Sequence, residues 1–147
     1  MHDASIQNQR ACKQNHQGYD WATQAEIQRR EAAAWLSHAE KNNDRAVSLM
    51  QSAVELEDAT EKNPVTPGAV LPAHELMADL LMKIHRPQDA FQEYAASLKK
   101  APHRFHAVQG AARAAEAAGK HEAARRYGRE LLELTGSKKD GVYLAAK

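Results

Sequence analysis

The sequence predicts an all-α fold, an α-hairpin solenoid of about three repeats and six main helices, on three observations. A small residue, an alanine twelve positions later and a bulky residue four beyond that recur as Ala34/Ala46/Met50, Ala78/Ala90/Tyr94 and Ala111/Ala123/Tyr127. Two antiparallel helices would put the small residue where they pack closely, the alanine at their crossing and the bulky residue against the next unit. Composition agrees: 7 glycines, 5 prolines and 5 % aromatics in 147 residues, with alanine at many helical positions, favour close-packed helices over a β-fold. Apolar residues also recur at three- and four-residue steps.

Residues 1–19 are rich in Gln, Asn and His with almost no apolar periodicity, which predicts a flexible polar lead-in or a segment that another chain must order. From Trp21, the residues Ala22, Ala25, Arg29, Ala32, Leu36 and Ala39 predict one helical face, which stops at Lys41-Asn42-Asn43-Asp44. Asn43 or Asp44 can cap the next helix, whose stripe is Ala46, Val47, Met50, Ala53, Val54 and Glu57. A spacer over about 60–72 follows, since Pro64, Pro67, Gly68 and Pro72 cannot share one helix.

The second hairpin, about 70–101, has Leu76, Met77, Leu80, Leu81 and Ile84 in its first helix and a turn at His85-Arg86. Pro87 takes the first position of the partner helix, which buries Ala90, Phe91, Tyr94, Ala95 and Leu98 and ends at Pro102. The third hairpin, about 103–135, runs through Phe105, Val108, Ala111, Ala112, Ala115 and Ala118 to a turn at Gly119-Lys120. It returns through Ala123, Ala124, Tyr127, Leu131 and Leu134, with Gly136 as C-cap. Residues 136–147 are a tail or a short capping segment carrying Val142, Tyr143 and Leu144. The domain is therefore an array over 20–135 whose first unit covers about 21–62.

These motifs resemble the tetratricopeptide repeat family. The resemblance rests on the A-x3-bulky signature in all three second helices, the small residue twelve positions upstream and Pro102, and it covers roughly 21–135. Ala90 to Ala123 spans 33 residues, near the usual ~34, whereas Ala46 to Ala90 spans 44, so about eleven residues are inserted. The stretch from EDATEKNPVTPGAVLPAHEL through HRPQDAFQEYAASL to FHAVQGAARAAEAAGKHEAARRY also looks like the C-terminal repeats of longer bacterial tetratricopeptide proteins of unassigned function. The family implies a right-handed superhelix that binds other proteins. Its usual bulky first-helix residues are mostly missing: Met77 and Leu81 stand at two such positions of the second unit, and Gly110 and Ala114 in the third, which makes that unit slim.

Twenty Lys+Arg against nineteen Asp+Glu leave a net charge of +1, which gives no general attraction to nucleic acid or anionic lipid. The arginines Arg113, Arg125, Arg126 and Arg129 read as a solvated face balanced by Glu116, Glu122 and Glu130. The single Cys12 cannot form an internal disulfide, and MHDASIQNQRACKQNHQG lacks the apolar core of a signal peptide, so a cytoplasmic protein with no membrane span is expected. His74-Glu75 and His121-Glu122 begin like a zinc-protease motif, yet Ala78 and Arg125 stand where its second histidine should be. His103 and His106 lie three apart with no third ligand, and Cys12 has only His16 near it, so no metal, cofactor or enzyme activity is expected.

In tetratricopeptide arrays the first helices line a concave groove. The resemblance therefore implies a binding face at Gln28, Glu31, Trp35 and His38, then Glu75, Asp79, Met82 and Lys83, and finally Val108, Gln109 and Ala112. Members that grip a C-terminal carboxylate use Lys and Asn where this chain has Glu75 and Asp79, so a basic or amphipathic helical segment is the expected ligand. The expected function is a protein-interaction scaffold for an unidentified protein or peptide. Two alternatives stay open: an end-piece that caps an array or dimerises through its N-terminal face, and a histidine-based metal-responsive module.

Overall fold

The computed structural model describes residues 20–60 and 69–136. Six helices cover them: α1 (Trp21–Ala39), α2 (Asn43–Ala59), α3 (Ala73–Lys83), α4 (Pro87–Lys100), α5 (Phe105–Ala117) and α6 (His121–Leu134). No strand occurs among the described residues. None of these helices is long and apolar enough to cross a membrane. The lead-in with Cys12 and His16, the spacer's Pro64, Pro67 and Gly68, and the tail with Val142, Tyr143 and Leu144 lie outside the described residues.

Three hairpins, α1/α2, α3/α4 and α5/α6, pack in series, α2 against α3 and α4 against α5, while the first helices also touch, α1 with α3 and α3 with α5. This packing of neighbours is consistent with a helical repeat. The turns repeat as well. Lys41, His85 and Gly119 each take a left-handed backbone, with φ of 64°, 60° and 73°. In each turn the next amide reaches back five residues, Asn42 to Ser37, Arg86 to Leu81 and Lys120 to Ala115, at 2.8–2.9 Å. These paired bonds satisfy carbonyls that a helix end leaves open.

Starts differ more than ends. Asp20 accepts from the Thr23 amide to open α1, and Asn42, rather than Asn43 or Asp44, accepts from Arg45 to open α2. Pro87 sits in the first turn of α4, where its missing N–H costs nothing. At α3 the cap residue Pro72 offers no side-chain acceptor. A tertiary one replaces it: buried Glu57 of α2 accepts from the Ala73 amide at 2.5 Å.

The nine positions of the threefold cadence are buried except Ala123, which is half-buried. Leu80 and Leu81 are the bulk of the middle unit, each stabilising by about 2 kcal/mol through burial. The stripe expected on α1 is overturned. Ala22, Ala25, Arg29, Ala32, Leu36 and Ala39 are exposed, and α1 buries Ile27, Ala34 and Ser37 instead. Alanines on several sides of α1 make its periodicity blind to direction, and only the partner helix chooses the face. Phe105 and Leu134, expected in the core, are 50 % and 40 % exposed at helix ends. In α5 the slim surface of Ala107, Gly110, Ala111 and Ala114 is filled from the previous unit, because the Tyr94 ring lies on Gly110.

Candidate functional site

The residues expected to line a groove all lie on the first helices α1, α3 and α5, and the structure sorts them into surface and interior. Gln28 and Lys83 are exposed; Glu31, Trp35, His38, Asp79, Met82 and Gln109 are half-buried. Glu75, Val108 and Ala112 are buried, Glu75 and Val108 completely, so none of these three presents a side chain for contact.

Glu75 is instead an internal counter-ion. Its Oε1 accepts from Ser97 Oγ at 2.9 Å and from Arg104 Nε at 2.5 Å, which ties α3 to α4 and to the start of α5. A second Arg104 nitrogen donates to the Val70 carbonyl at 2.7 Å. Glu75 Oε2 has no partner among the described residues. A buried carboxylate is tolerated when such charge-assisted bonds replace water.

Asp79 is engaged likewise. One oxygen accepts from the Tyr94 hydroxyl and the other faces His106 Nε2 at 3.0 Å. Burial, then the bond to Asp79, pushes the Tyr94 phenol well above its ordinary range. The two carboxylates expected to make the middle unit acidic are thus both engaged by internal partners. Glu31 behaves differently: burial, with the Glu57 charge adding, pushes its carboxyl up from 4.5 to about 7. At the same end, Trp35 and His38 meet edge to face, 5.9 Å between centroids, and His38 Nδ1 is 2.9 Å from Asn43 Oδ1.

A polar cluster that no sequence motif predicts lies where α2, α3 and α4 meet. His74 is 8 % exposed, with Nδ1 2.7 Å from Glu93 Oε2 and Nε2 3.2 Å from both oxygens of Asp58. Lys100 pairs with Asp58 and lies 3.2 Å from His74 Nε2. The bond to Glu93 raises the His74 pKa; burial and Lys100 oppose this, and Asp58 assists. Burial pushes Asp58 up, but hydrogen bonds from Lys100 and His74 and their charges leave it lowered. Of these four only His74 carries a sequence signal, as half of an incomplete zinc motif; no local pattern relates residues 58, 74, 93 and 100.

His103 and His106, three apart in sequence, turn to different partners, His103 to Glu130 at 3.0 Å and His106 to Asp79. Among the described residues no group of three or more His, Cys, Asp or Glu is placed to hold a metal ion. No protein-family model and no curated protein sequence matches the chain.

Proposed function

We propose that this chain is a tetratricopeptide-like solenoid acting as a protein-interaction scaffold, with no catalytic role, and that an amphipathic segment of a partner lies along its first helices. The observation that carries this reading is the lateral contact of α1 with α3, the helices that carry half-buried Trp35 and Met82 and exposed Gln28 and Lys83. Half-buried aromatic and thioether groups rimmed by polar ones suit an amphipathic helix. Because Glu75 is sealed and Asp79 is engaged, the ligand need not be strongly basic.

Affinity purification from the native organism with amine crosslinking tests it. Partner crosslinks should map to Lys83 in the groove, and Trp35→Ala with Met82→Ala should remove them. If the double variant keeps the same crosslinks, the groove is not the binding face.

One observation favours a second reading, an end-piece that caps an array or associates through α1. Leu36 is 61 % exposed, whereas Leu80, at the equivalent position 44 residues later, is fully buried. The α1 face with Ala25, Ala32 and Leu36 thus has the character of a unit-to-unit surface. Light scattering of wild type and Leu36→Glu separates the readings: a concentration-dependent mass that the variant abolishes supports association, and a monomer in both leaves the groove.

A further inference from the structure

Among the described residues, the arginines of α6 form no ion pair with the carboxylates that the sequence offers them. Lys120, His121, Glu122, Arg125, Arg126 and Arg129 line an open, shallow surface whose described lining comes wholly from α6 and its cap residue, five cationic or imidazole groups against one carboxylate. All three arginines are exposed. The sequence suggests that Glu116, Glu122 and Glu130 balance them, but Glu130 turns to His103 at 3.0 Å. Among the described residues no carboxylate pairs with Arg125, Arg126 or Arg129. Lys120 and Arg126 lean on the rings of Phe91 and Tyr127, each 4.7 Å from the centroid. Such contacts orient a cation without neutralising it.

Charge is also polarised along the molecule. Residues 20–60 carry 8 Asp+Glu against 4 Lys+Arg, whereas residues 104–136 carry 6 Lys+Arg against 4 Asp+Glu. A long polyanion laid on α6 would run toward like charge at the other end, and the net charge of +1 gives it no general attraction. A short acidic ligand confined to α6 meets neither obstacle.

We propose that this face of α6 docks an acidic helical segment of a partner protein, its carboxylates received by Arg125, Arg126 and Arg129. The guanidinium fork matches a carboxylate in two parallel bonds. Arg125 and Arg129 stand one turn apart, about 6 Å along the axis, which is also the spacing of carboxylates four residues apart on a ligand helix. The surface is separate from the groove along the first helices, so the two can fail independently.

Fluorescence anisotropy of the full chain at low salt tests the proposal with a labelled alanine-based peptide bearing glutamates four residues apart. Competing probes are its glutamine counterpart, a single-stranded RNA oligomer and vesicles of phosphatidylserine and phosphatidylcholine. The glutamate peptide should bind best, and Arg125→Glu with Arg129→Glu should weaken it by about tenfold or more, with Lys at both positions intermediate. The groove variant Trp35→Ala with Met82→Ala should bind as wild type does. Equal binding of the glutamine peptide, tighter binding of RNA or vesicles, or no effect of charge reversal would overturn the proposal. Circular dichroism checks the fold of each variant, and Gln at both positions replaces the reversal if that unfolds the chain.

Discussion

At Gly110 the backbone of α5 lies so close to the Tyr94 ring that an added Cβ would stand 2.3 Å from its Cε1 and Cζ. The ring cannot step aside freely, because its hydroxyl is held by Asp79 across from α3. Alanine would gain about 1 kcal/mol of helix propensity at this position and lose about 1–3 kcal/mol to overpacking. Gly110→Ala is therefore expected to lower the unfolding free energy by up to ~2 kcal/mol, read as a lower urea midpoint. A midpoint equal to wild type would show that Tyr94 is not fixed. The contact also explains the slim third unit: its bulk comes from the unit before it.

Within the elements, the hairpin turns share one geometry but not one residue type. Gly119 adopts its left-handed φ of 73° without cost, whereas Lys41 and His85 hold φ of 64° and 60° against their own Cβ atoms. His85 is exposed and has no side-chain hydrogen bond among the described residues, so His85→Gly should relieve strain and lose little. After allowing for the greater freedom of glycine in the unfolded chain, a gain of about 0.5–1 kcal/mol is expected as a higher melting temperature. A lower melting temperature would mean that the left-handed turn is not strained. The glycine turn was legible from its residue type; the histidine and lysine turns were legible only as breaks in periodicity.

For the whole molecule, two groups set a common pH trend. Glu31 holds its proton up to about pH 7 instead of 4.5, so folding loses stability between those values as the unfolded chain ionises first. His74, raised above 6.5, stabilises fully below that value, and the contribution is lost as pH rises through its folded pKa. The signs agree, so the melting temperature should fall from about pH 5 to about pH 8. Glu31→Gln should remove about 1 kcal/mol of that fall, the full shift being discounted because the carboxyl is half solvated. An unchanged slope in the variant would show that Glu31 ionises normally in the folded chain. The second contribution sits where α2, α3 and α4 meet, so loosening at high pH should begin at this joint.

By itself the sequence determined the six helices of the described residues, their hairpin order and the cadence of close contacts, because Ala34, Ala46, Ala78, Ala90 and Ala111 admit a neighbouring backbone only where no larger side chain stands. Local spacing carries that information. The buried face of α1 was not legible, since alanine occurs on several sides of it and a helix learns its inner face only from its partner. The residues assigned to a groove were legible as first-helix positions, but which of them are sealed or paired was not. Whether Glu75, Asp79 and the arginines of α6 carry free charge depends on Arg104, His106 and His103, brought to Glu75, Asp79 and Glu130 from 27 to 29 residues away. Electrostatic pairing follows distance in space, and only the tertiary structure fixed those distances.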